Sequence, residues 1–487
     1  MAFTIKPLVR GLGTLLSKSG RKGGRKPAAA SAAAAAPSFS PVIIPRPQHN
    51  ISRANISQGA LRALRQLRDA GYDAYLVGGG VRDLLLGREP KDFDVATNAH
   101  PEQVKQVFGR NCRLIGRRFL LAHVRMGREI IEVATFRGRA DADLERQSHN
   151  GMLLRDNVYG SVEEDALRRD FTVNALYYNI ADFSVVDFGQ GMADLQQGLL
   201  RLLGDPRLRF REDPVRMLRA VRFAAKLGFR IDPQVEAQMV EQASLLIDVP
   251  SARLYDECLK LFHGGLALET FEKLRHYHLF EVLFPDTDRC LADEEEHFPI
   301  TFVSHGLTST DSRINAGKPV TPAFLFAVLL WEPVRRLAAK HAARDQEGDI
   351  PALQRAGAEM VARLVSRVAV PRRFTLVMRE IWQLQPRFDM RRGKRPQRLL
   401  SHPRFRAAYD FLLLRAQAGE VEQELADWWT RLQQQEGINP QAEADYSPDL
   451  GPDPFSDFNQ DAATKPPPKR RRRRRSPANK SAKGDES

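Results

Sequence analysis

Cysteine is scarce in this chain, and no long hydrophobic run is present. Its 487 residues include three cysteines, Cys112, Cys258 and Cys290, which lie far apart. They form neither a C-x-x-C metal-binding pair nor a disulfide framework, so we expect a reducing compartment. The longest apolar run, residues 323–331, is far shorter than the roughly 18–20 residues that span a bilayer. The sequence therefore predicts neither a disulfide-stabilised protein nor a transmembrane helix.

Acidic residues are absent from residues 1–47 and rare in residues 465–487. The first segment carries eight lysines and arginines, and the second carries ten against two acids. The two basic tails together carry +16, which exceeds the formal net charge of +14, so the rest of the chain is slightly acidic. Such runs cannot pack into a core and are typical of segments that bind polyanions. We predict a disordered basic arm over residues 1–50, with an organelle-targeting segment as the alternative, and a disordered polycationic tail over residues 436–487.

The texture of the sequence changes near residue 200. Before this point, short strand-like runs alternate with helical segments, which is typical of an α/β domain. After it, nearly all of the chain has helical periodicity, except residues 286–320, which look irregular. The sequence predicts an α/β head of mixed sheet with helices over residues 51–200. An all-α neck over residues 201–270 and an all-α body over residues 271–435 are expected to follow.

A glycine-rich turn and two aspartates mark the first candidate site. An apolar run ends at three glycines, residues 78–80, and Arg82 lies at the start of the helix predicted there. Such a turn lets backbone N–H groups approach an anion, and an arginine can pair with a phosphate. Asp92 and Asp94 follow, on one face of a predicted strand, where their charges repel unless a cation lies between them. Hard oxygen ligands beside a phosphate suit Mg²⁺, although each feature alone also fits a site without ligand.

A third carboxylate lies on a neighbouring predicted strand. Glu132 is flanked by the apolar residues Ile131 and Val133. An acid among core residues is costly unless it is paired or close to a metal ion. A solvent-exposed face of the strand fits the same pattern equally well.

Four motifs, in order between residues 75 and 223, carry a family resemblance. They are G-G-x-V-R-D-x-L-L-G-x-x-P-x-D-x-D, E-V-A-T-F-R, R-R-D-F-T-x-N-A-L and E-D-P-x-R-x-L-R-A-x-R-F. Together they resemble the class II nucleotidyltransferase family, which contains bacterial poly(A) polymerases and CCA-adding tRNA nucleotidyltransferases. The resemblance implies two-metal phosphoryl transfer with Mg²⁺, or Mn²⁺ as the alternative.

The resemblance also implies a role for each matching residue. Three carboxylates match the catalytic set, of which the first two match the metal-binding pair: Asp92, Asp94 and Glu132. Residues that match those holding the triphosphate are Gly79, Gly80 and Arg82. Residues that match a segment contacting the ribose and triphosphate are Arg169, Asp170 and Asn174. Residues that match the base-reading motif are Glu212, Asp213 and Arg216.

Spacing bears on two of these sets. Asp170 and Asn174 are four residues apart and would share one face of a helix. Asp213 and Arg216 are three apart near a predicted helix start, so they can face the same way. A carboxylate accepts from an exocyclic amine, and an arginine donates to a ring nitrogen. Cytosine and adenine both offer that pair, so the motif alone does not choose between CTP and ATP.

Four further segments favour poly(A) synthesis. The run L-I-G-R-R-F-L-L-A-H-V, residues 114–124, is predicted to form a pair of strands and resembles the form that this pair takes in poly(A) polymerases. Within it, Arg117 and Arg118 are predicted RNA contacts. The run I-W-Q-L-Q and the segment from Phe405 to Ala416 resemble the body of these enzymes. The tail adds predicted RNA contacts that neutralise phosphates without reading sequence: Lys469, Arg470, Arg471 and Arg472.

The sequence therefore predicts a template-independent, cytoplasmic poly(A) polymerase that acts in RNA polyadenylation and turnover. Its expected partners are ATP, RNA 3′ ends and, through the basic tails, RNA-decay proteins or acidic surfaces. The first alternative is a CCA-adding enzyme. The others are a non-catalytic RNA-binding module and, with less support, a nucleotidyltransferase for small molecules.

Overall fold

The computed structural model describes residues 40–116, 120–138, 158–292, 294–295, 298–299, 301–346 and 348–439. Arg117 and Arg118 lie outside the described residues, as do the first 39 residues and the basic tail with Lys469 to Arg472. Predictions that concern these segments therefore stay predictions. The described residues from Pro41 to Asn439 form one unit.

A mixed sheet of eight strands organises the first half of this unit. The strands are β1 (Val42–Ile44), β2 (Ala74–Val77), β3 (Asp94–Thr97), β4 (Cys112–Ile115), β5 (Leu121–Met126), β6 (Glu129–Thr135), β7 (Leu176–Asn179) and β8 (Val185–Asp187). Their order is β1-β8-β7-β2-β3-β6-β5-β4. Only the β3–β6 pair among these neighbours is parallel. The mixed α/β head predicted from the sequence is confirmed.

The register of the central strands places polar residues in one row across the sheet. Val77 pairs with both Tyr177 and Asp94, and Asp94 pairs with Glu132. Glu132 pairs in turn with His123 of β5. Directly paired residues of neighbouring strands point to the same face. The sheet pairing therefore brings two carboxylates together that are 38 residues apart in the chain.

The two faces of the sheet differ in how much apolar packing covers them. One face contributes Leu76, Val95 and Val133 to the main hydrophobic core. The other carries a small separate cluster built around Tyr177 and Phe136. Asp94 and Glu132 lie on this second face, which less apolar packing covers.

Helices surround the sheet and form most of the remaining described chain. They are α1 (Gln58–Asp69), α2 (Gly79–Leu85), α3 (Pro101–Phe108), α4 (Val162–Arg168), α5 (Gly191–Gln197), α6 (Pro206–Glu212), α7 (Val215–Leu227), α8 (Pro233–Gln242), α9 (Ser251–Phe262), α10 (Ala267–His276), α11 (Leu279–Leu283), α12 (Pro285–Ala292), α13 (Phe302–Asn315), α14 (Pro322–Leu329), α15 (Trp331–Asp345), α16 (Asp349–Arg367), α17 (Arg372–Leu384), α18 (Arg395–Leu400), α19 (Phe405–Gln417) and α20 (Gln423–Gln435). Two short strand pairs complete the list: β9 (Leu199–Leu200) with β10 (Arg230–Ile231), and β11 (Glu294–Glu295) with β12 (Phe298–Pro299). The helical second half is confirmed.

The prediction that residues 286–320 are irregular is wrong. Most of this segment lies in α12 and α13. Helix α13 is rich in serine and threonine, which lowers its helical signal because these hydroxyls compete for backbone groups. Here the hydroxyls of Thr308 and Thr310 donate to carbonyl oxygens four residues earlier, so they are satisfied inside the helix. Phe302, Leu307 and Thr310 are buried, so this helix packs into the core in spite of its hydroxyl-rich sequence.

The main hydrophobic core is continuous from Ile44 to Leu414 and so runs through the predicted head, neck and body. A second core around Trp429 supports the last two described helices. The predicted boundaries at residues 200 and 270 stay predictions, because packing crosses both. The three cysteines are free and buried. Among the described helices, none has the length and apolar character needed to cross a membrane.

Candidate active site

The glycine turn brings the backbone close to two charged side chains. Gly78 has a φ of 68°, a conformation that favours glycine. A Cβ atom on Gly78 would lie 3.1 Å from Nη1 of Arg169 and 4.0 Å from Oδ2 of Asp94. One on Gly80 would lie 3.3 Å from the carbonyl oxygen of Asp92. The turn therefore needs small residues because it passes between an arginine and the predicted metal ligands, with Gly79 opening α2 just after it.

Three carboxylates repel one another beside this turn. Asp94 begins β3 and pairs with Glu132. Asp92 lies two residues before β3, so the expectation that Asp92 and Asp94 share one face of a strand is wrong. Burial raises the pKa of Asp94 to about 6, with further contributions from the charges of Glu132 and Asp92 against an opposing one from Arg169. Burial and the charge of Asp92 also raise the pKa of Glu132, and Arg137 opposes them.

This arrangement fits a hard divalent cation that shares its ligands with a substrate. Within the described ranges, no three acidic, histidine or cysteine side chains lie close enough to enclose an ion. Mg²⁺ does not need such a cage, since it typically binds one or two carboxylates together with phosphates and water. A cation near Asp92 and Asp94 would stabilise the ionised form of Asp94, which burial and the charges of Glu132 and Asp92 disfavour.

Arg169 is fixed beside the carboxylates by a buried network. Its Nε donates to the hydroxyl of Tyr177 at 2.7 Å, and its Nη2 donates to Asp165 at 3.2 Å. The Tyr177 hydroxyl also donates to Asp165, at 2.5 Å. Burial would lower the pKa of Arg169, but Tyr177 and Asp165 raise it above its ordinary value. A rigid positive charge therefore faces Asp94.

The other two residues of this predicted set, Asp170 and Asn174, are in direct contact. The amide of Asn174 donates to Asp170 at 3.0 Å and accepts a hydrogen bond from Nη1 of Arg82 at 2.7 Å. The expectation that they share the face of an α-helix is wrong, because only a short 3-10 turn, Thr172–Asn174, separates them. Arg82 is 2% exposed and also donates to Asp83. Its guanidinium thus holds Asn174 in place, and its predicted phosphate contact stays a prediction.

Helix α7 reaches this network through Arg219. Its Nε and Nη2 donate to Asp170 at 2.8 and 2.5 Å. Burial would raise the pKa of Asp170, but Arg219 and the amide of Asn174 hold it below the ordinary value. The guanidinium groups of Arg82, Arg219 and Arg222 all lie near the ring of Phe223. Positive charge is therefore concentrated where the first helix after the glycine turn meets α7.

Within the predicted base-reading set, Arg216 pairs with Glu212, whereas Asp213 pairs with a side chain outside the set. Glu212 accepts hydrogen bonds from Arg209 at 2.6 Å and from Arg216 at 3.0 Å. Asp213 lies just before α7 and accepts from Arg253 of α9 at 2.7 Å. Arg216 also donates to the carbonyl oxygen of Arg209 at 2.7 Å. Neighbouring groups therefore fix the orientation of both Asp213 and Arg216.

Comparison with known families covers most of the chain. Three family profiles match it: "Poly A polymerase head domain" over residues 74–201, "Probable RNA and SrmB-binding site of polymerase A" over residues 228–291, and "Polymerase A arginine-rich C-terminus" over residues 345–477. Poly(A) polymerase I of Salmonella typhi is 52% identical over 398 residues, which is 80% of this chain and 85% of that protein. The corresponding enzyme of Haemophilus influenzae is 48% identical over 399 residues.

The chain belongs to the bacterial poly(A) polymerase family of nucleotidyltransferases. CCA-adding enzymes resemble it over a shorter stretch. The enzyme of Bacillus subtilis is 39% identical over 225 residues, which is 46% of this chain and 55% of that protein. A solved CCA-adding enzyme in an apo form shares the fold, with a TM-score of 0.53 and 20% identity over 80% of this chain and 84% of that one. Membership in the poly(A) polymerase family thus rests on similarity that extends far beyond the shared stretch.

Sequence reasoning missed two arginines at the site of this poly(A) polymerase family member. Arg209 donates to the carbonyl oxygens of Arg168 and Arg169 at 2.9 and 2.6 Å, and so links α6 to the end of α4. Its spacing of three residues from Glu212 was the available signal. Arg253 lies 40 residues from its partner Asp213, and no local pattern announces that pair.

Proposed function

We propose that this chain elongates RNA 3′ ends by transferring AMP from ATP, without a template, through the site formed by Asp92, Asp94 and Glu132. Membership in the poly(A) polymerase family makes the chain a nucleotidyltransferase that adds adenosines to RNA. The observation that carries the proposal is the meeting of three mutually repelling carboxylates with the glycine turn and Arg169. The RNA 3′-hydroxyl attacks the α-phosphorus of ATP, the bond to the β-phosphate breaks, and pyrophosphate leaves.

Asp92 and Asp94 would hold the divalent metal, with Glu132 beside them. Mg²⁺ is the ion we propose, with Mn²⁺ as a substitute, because the donor set is all oxygen. When bound, such ions lower the pKa of the attacking hydroxyl and stabilise the charge of the leaving pyrophosphate.

The protein's own residues orient the nucleotide. We assign the triphosphate to the turn at Gly79 and Gly80 and to Arg169, whose guanidinium is held by Tyr177 and Asp165. Asp170 stays ionised because Arg219 pairs with it, and it can accept a hydrogen bond from a ribose hydroxyl. Fixed partners reduce the reorganisation that the transition state would otherwise require.

We also propose that the neck selects ATP. Asp213 and Arg216 face the nucleobase, and Glu212 and Arg253 hold them in one geometry. A pocket whose donors and acceptors are fixed rejects a base that leaves them unpaired. The proposal extends to a helical body over residues 271–435 that binds RNA and to a cytoplasmic location. Decay proteins or acidic surfaces contacted through the tails remain part of it.

One assay separates the candidate functions. The purified full chain is incubated with Mg²⁺, one nucleoside triphosphate at a time, and either an unstructured RNA or a tRNA that lacks its CCA end. Long products from ATP alone on both RNAs are expected. Short products of defined length that require CTP and ATP would establish CCA addition instead. Tight RNA binding without any product would establish a non-catalytic module.

A further inference from the structure

Two adjoining cavities lie on the helical body between α12, α15 and α16. Their volumes are about 290 and 330 Å³. They share four lining residues, Asp286, Arg289, Met360 and Arg363, and therefore form one continuous depression. We refer to it as the α12–α16 groove. It lies outside the network of residues that surrounds the three carboxylates.

The lining of this groove is rich in positive charge. Five cationic side chains line it against one acidic side chain, Asp286: Arg289, Arg336, Lys340, Arg363 and Arg367. Two further carboxylates pair with these arginines from outside the lining: Glu332 with Arg336, and Glu359 with Arg363. The groove and its immediate partners thus carry five cations against three carboxylates.

Three of these cations, Arg289, Lys340 and Arg363, are exposed to solvent. Arg289 and Arg363 share one oxygen of Asp286, yet their side chains are 73% and 49% exposed. Lys340 is exposed and has no ion-pair partner among the described side chains. Arg367 donates to the carbonyl oxygens of Val282 and Ile247 at 2.8 and 3.0 Å, while its buried Nη2 has no partner.

The wall between these cations is apolar. Leu337, Met360, Leu364 and Phe284 line the two cavities. An extended ligand that fits this lining needs regularly spaced negative charges and uncharged parts that can lie against apolar surface. Single-stranded nucleic acid has both, in its phosphates and its sugars and bases. Arginine, which supplies four of the five cations, also matches the geometry of phosphate oxygens better than lysine does.

We propose that the α12–α16 groove binds the sugar–phosphate backbone of the RNA substrate. This inference rests on the proposed function, because it concerns the RNA that the enzyme extends. The family profile named for RNA and SrmB binding ends at residue 291 and so reaches only α12. Helix α15, which contributes Arg336 and Lys340, lies almost wholly between the matched profiles. The proposed binding surface therefore includes α15 as well as α12, and we propose RNA as its ligand.

A neutralising double substitution tests the groove. Arg289→Gln with Lys340→Gln removes two exposed charges and leaves Arg363 paired with Asp286, so the fold should persist. The matched control is Arg62→Gln with Arg65→Gln, which removes two exposed charges from α1. Affinity for a single-stranded oligoadenylate is measured by fluorescence anisotropy across a salt series, with no ATP present.

The groove variant should bind RNA roughly threefold to tenfold more weakly at moderate salt, because it loses contacts with phosphates. Each lost contact should also reduce the slope of log affinity against log salt concentration by about 0.7. The control should bind like the unmodified chain. RNA should also protect Lys340 from acylation in the unmodified chain. Equal losses in both variants, or an unprotected Lys340, would overturn the proposal. A groove variant that loses binding to polyglutamate but not to RNA would assign the groove to an acidic protein and overturn it as well.

Activity separates a failure of this inference from a failure of the proposed function. With the groove variant, KM for RNA should rise while the rate at saturating RNA stays the same. If neither chain extends any RNA with ATP, the proposed function fails, yet the binding measurements still decide whether the groove holds RNA.

Discussion

The head and the helical body of this enzyme differ in the roles of their buried side chains. In the head, charged groups such as Arg82 and Asp165 lie at or near the core, and Asp94 sits where its own charge is disfavoured. In the body, a cluster of buried aromatic rings contributes packing: Phe302, Trp331 and Phe411. The body also buries a charged group, Glu332, which is paired with Arg335. The head therefore gives up stability to hold a charged site ready, whereas the body supplies packing.

The difference teaches where each kind of substitution should act. Changes at the site should alter activity by orders of magnitude and can raise stability. Changes in the aromatic body should lower stability and leave the chemistry of folded molecules intact. The predictions below test this division.

The largest effect is expected at Asp94. Asp94→Asn removes one of the two proposed metal-binding carboxylates and should lower the rate of AMP incorporation at least about a thousandfold, a scale typical for loss of a key transition-state contact. Incorporation is measured with saturating ATP, Mg²⁺ and RNA. Asp69→Asn, at an exposed position at the end of α1, is the control and should change nothing. Near-normal activity in Asp94→Asn would remove Asp94 from the site.

The second prediction concerns the aromatic body. Phe411 is fully buried, and its ring centroid lies 5.1 Å from that of Phe302 and 5.3 Å from that of Trp331. Phe411→Ala should lower the free energy of unfolding by about 3–5 kcal/mol, because it leaves a cavity in a close-packed core. Denaturant unfolding measures this loss. Phe411→Leu should cost much less, and in both variants the rate per folded molecule should stay near normal.

The third prediction concerns stability of the head as a function of pH. The folded pKa of Asp94, about 6, lies above its usual value of 3.8, so the folded state holds this proton more tightly. Its contribution to stability is present at low pH and is lost as pH rises from about 4 through 6. Asp94→Asn removes that dependence. In chelator, the variant should gain stability relative to the unmodified chain by up to about 3 kcal/mol between pH 4 and pH 8. A constant difference across that range would contradict a raised pKa of Asp94 in the folded protein.

The fourth prediction concerns choice of nucleotide. Arg216→Ala removes a proposed base-reading donor and also frees Glu212, whereas Arg211→Ala removes an exposed arginine nearby. The ratio of kcat/KM for ATP over CTP should fall roughly tenfold in the first variant, the effect of losing about 1.4 kcal/mol of discrimination. It should not change in the second. An unchanged ratio in Arg216→Ala would place base selection elsewhere.

Local sequence patterns predicted the parts of the site that depend on local spacing. The three carboxylates could be proposed because they lie on or next to short apolar strands and within motifs that resemble those of a known family. The parts that depend on distant partners could not be found in this way. Asp170 meets Arg219 across 49 residues, and Asp213 meets Arg253 across 40. The expectation for α13 was also wrong. Its serines and threonines are typical of loops, and the hydrogen bonds that their hydroxyls donate to carbonyl oxygens within the helix cannot be read from the sequence.

The smallest effect on the chemical step is expected from the basic tail. Deleting residues 465–487 removes ten cations but none of the residues around the three carboxylates. Such cations raise affinity by displacing counterions from RNA, an effect that does not depend on where the 3′ end lies. Deletion should weaken RNA binding at low salt and flatten its salt dependence, as measured by anisotropy. The rate at saturating RNA should stay nearly unchanged. A large fall in that rate would mean that the tail takes part in positioning the RNA 3′ end, and the division between a catalytic head and purely electrostatic tails would be wrong.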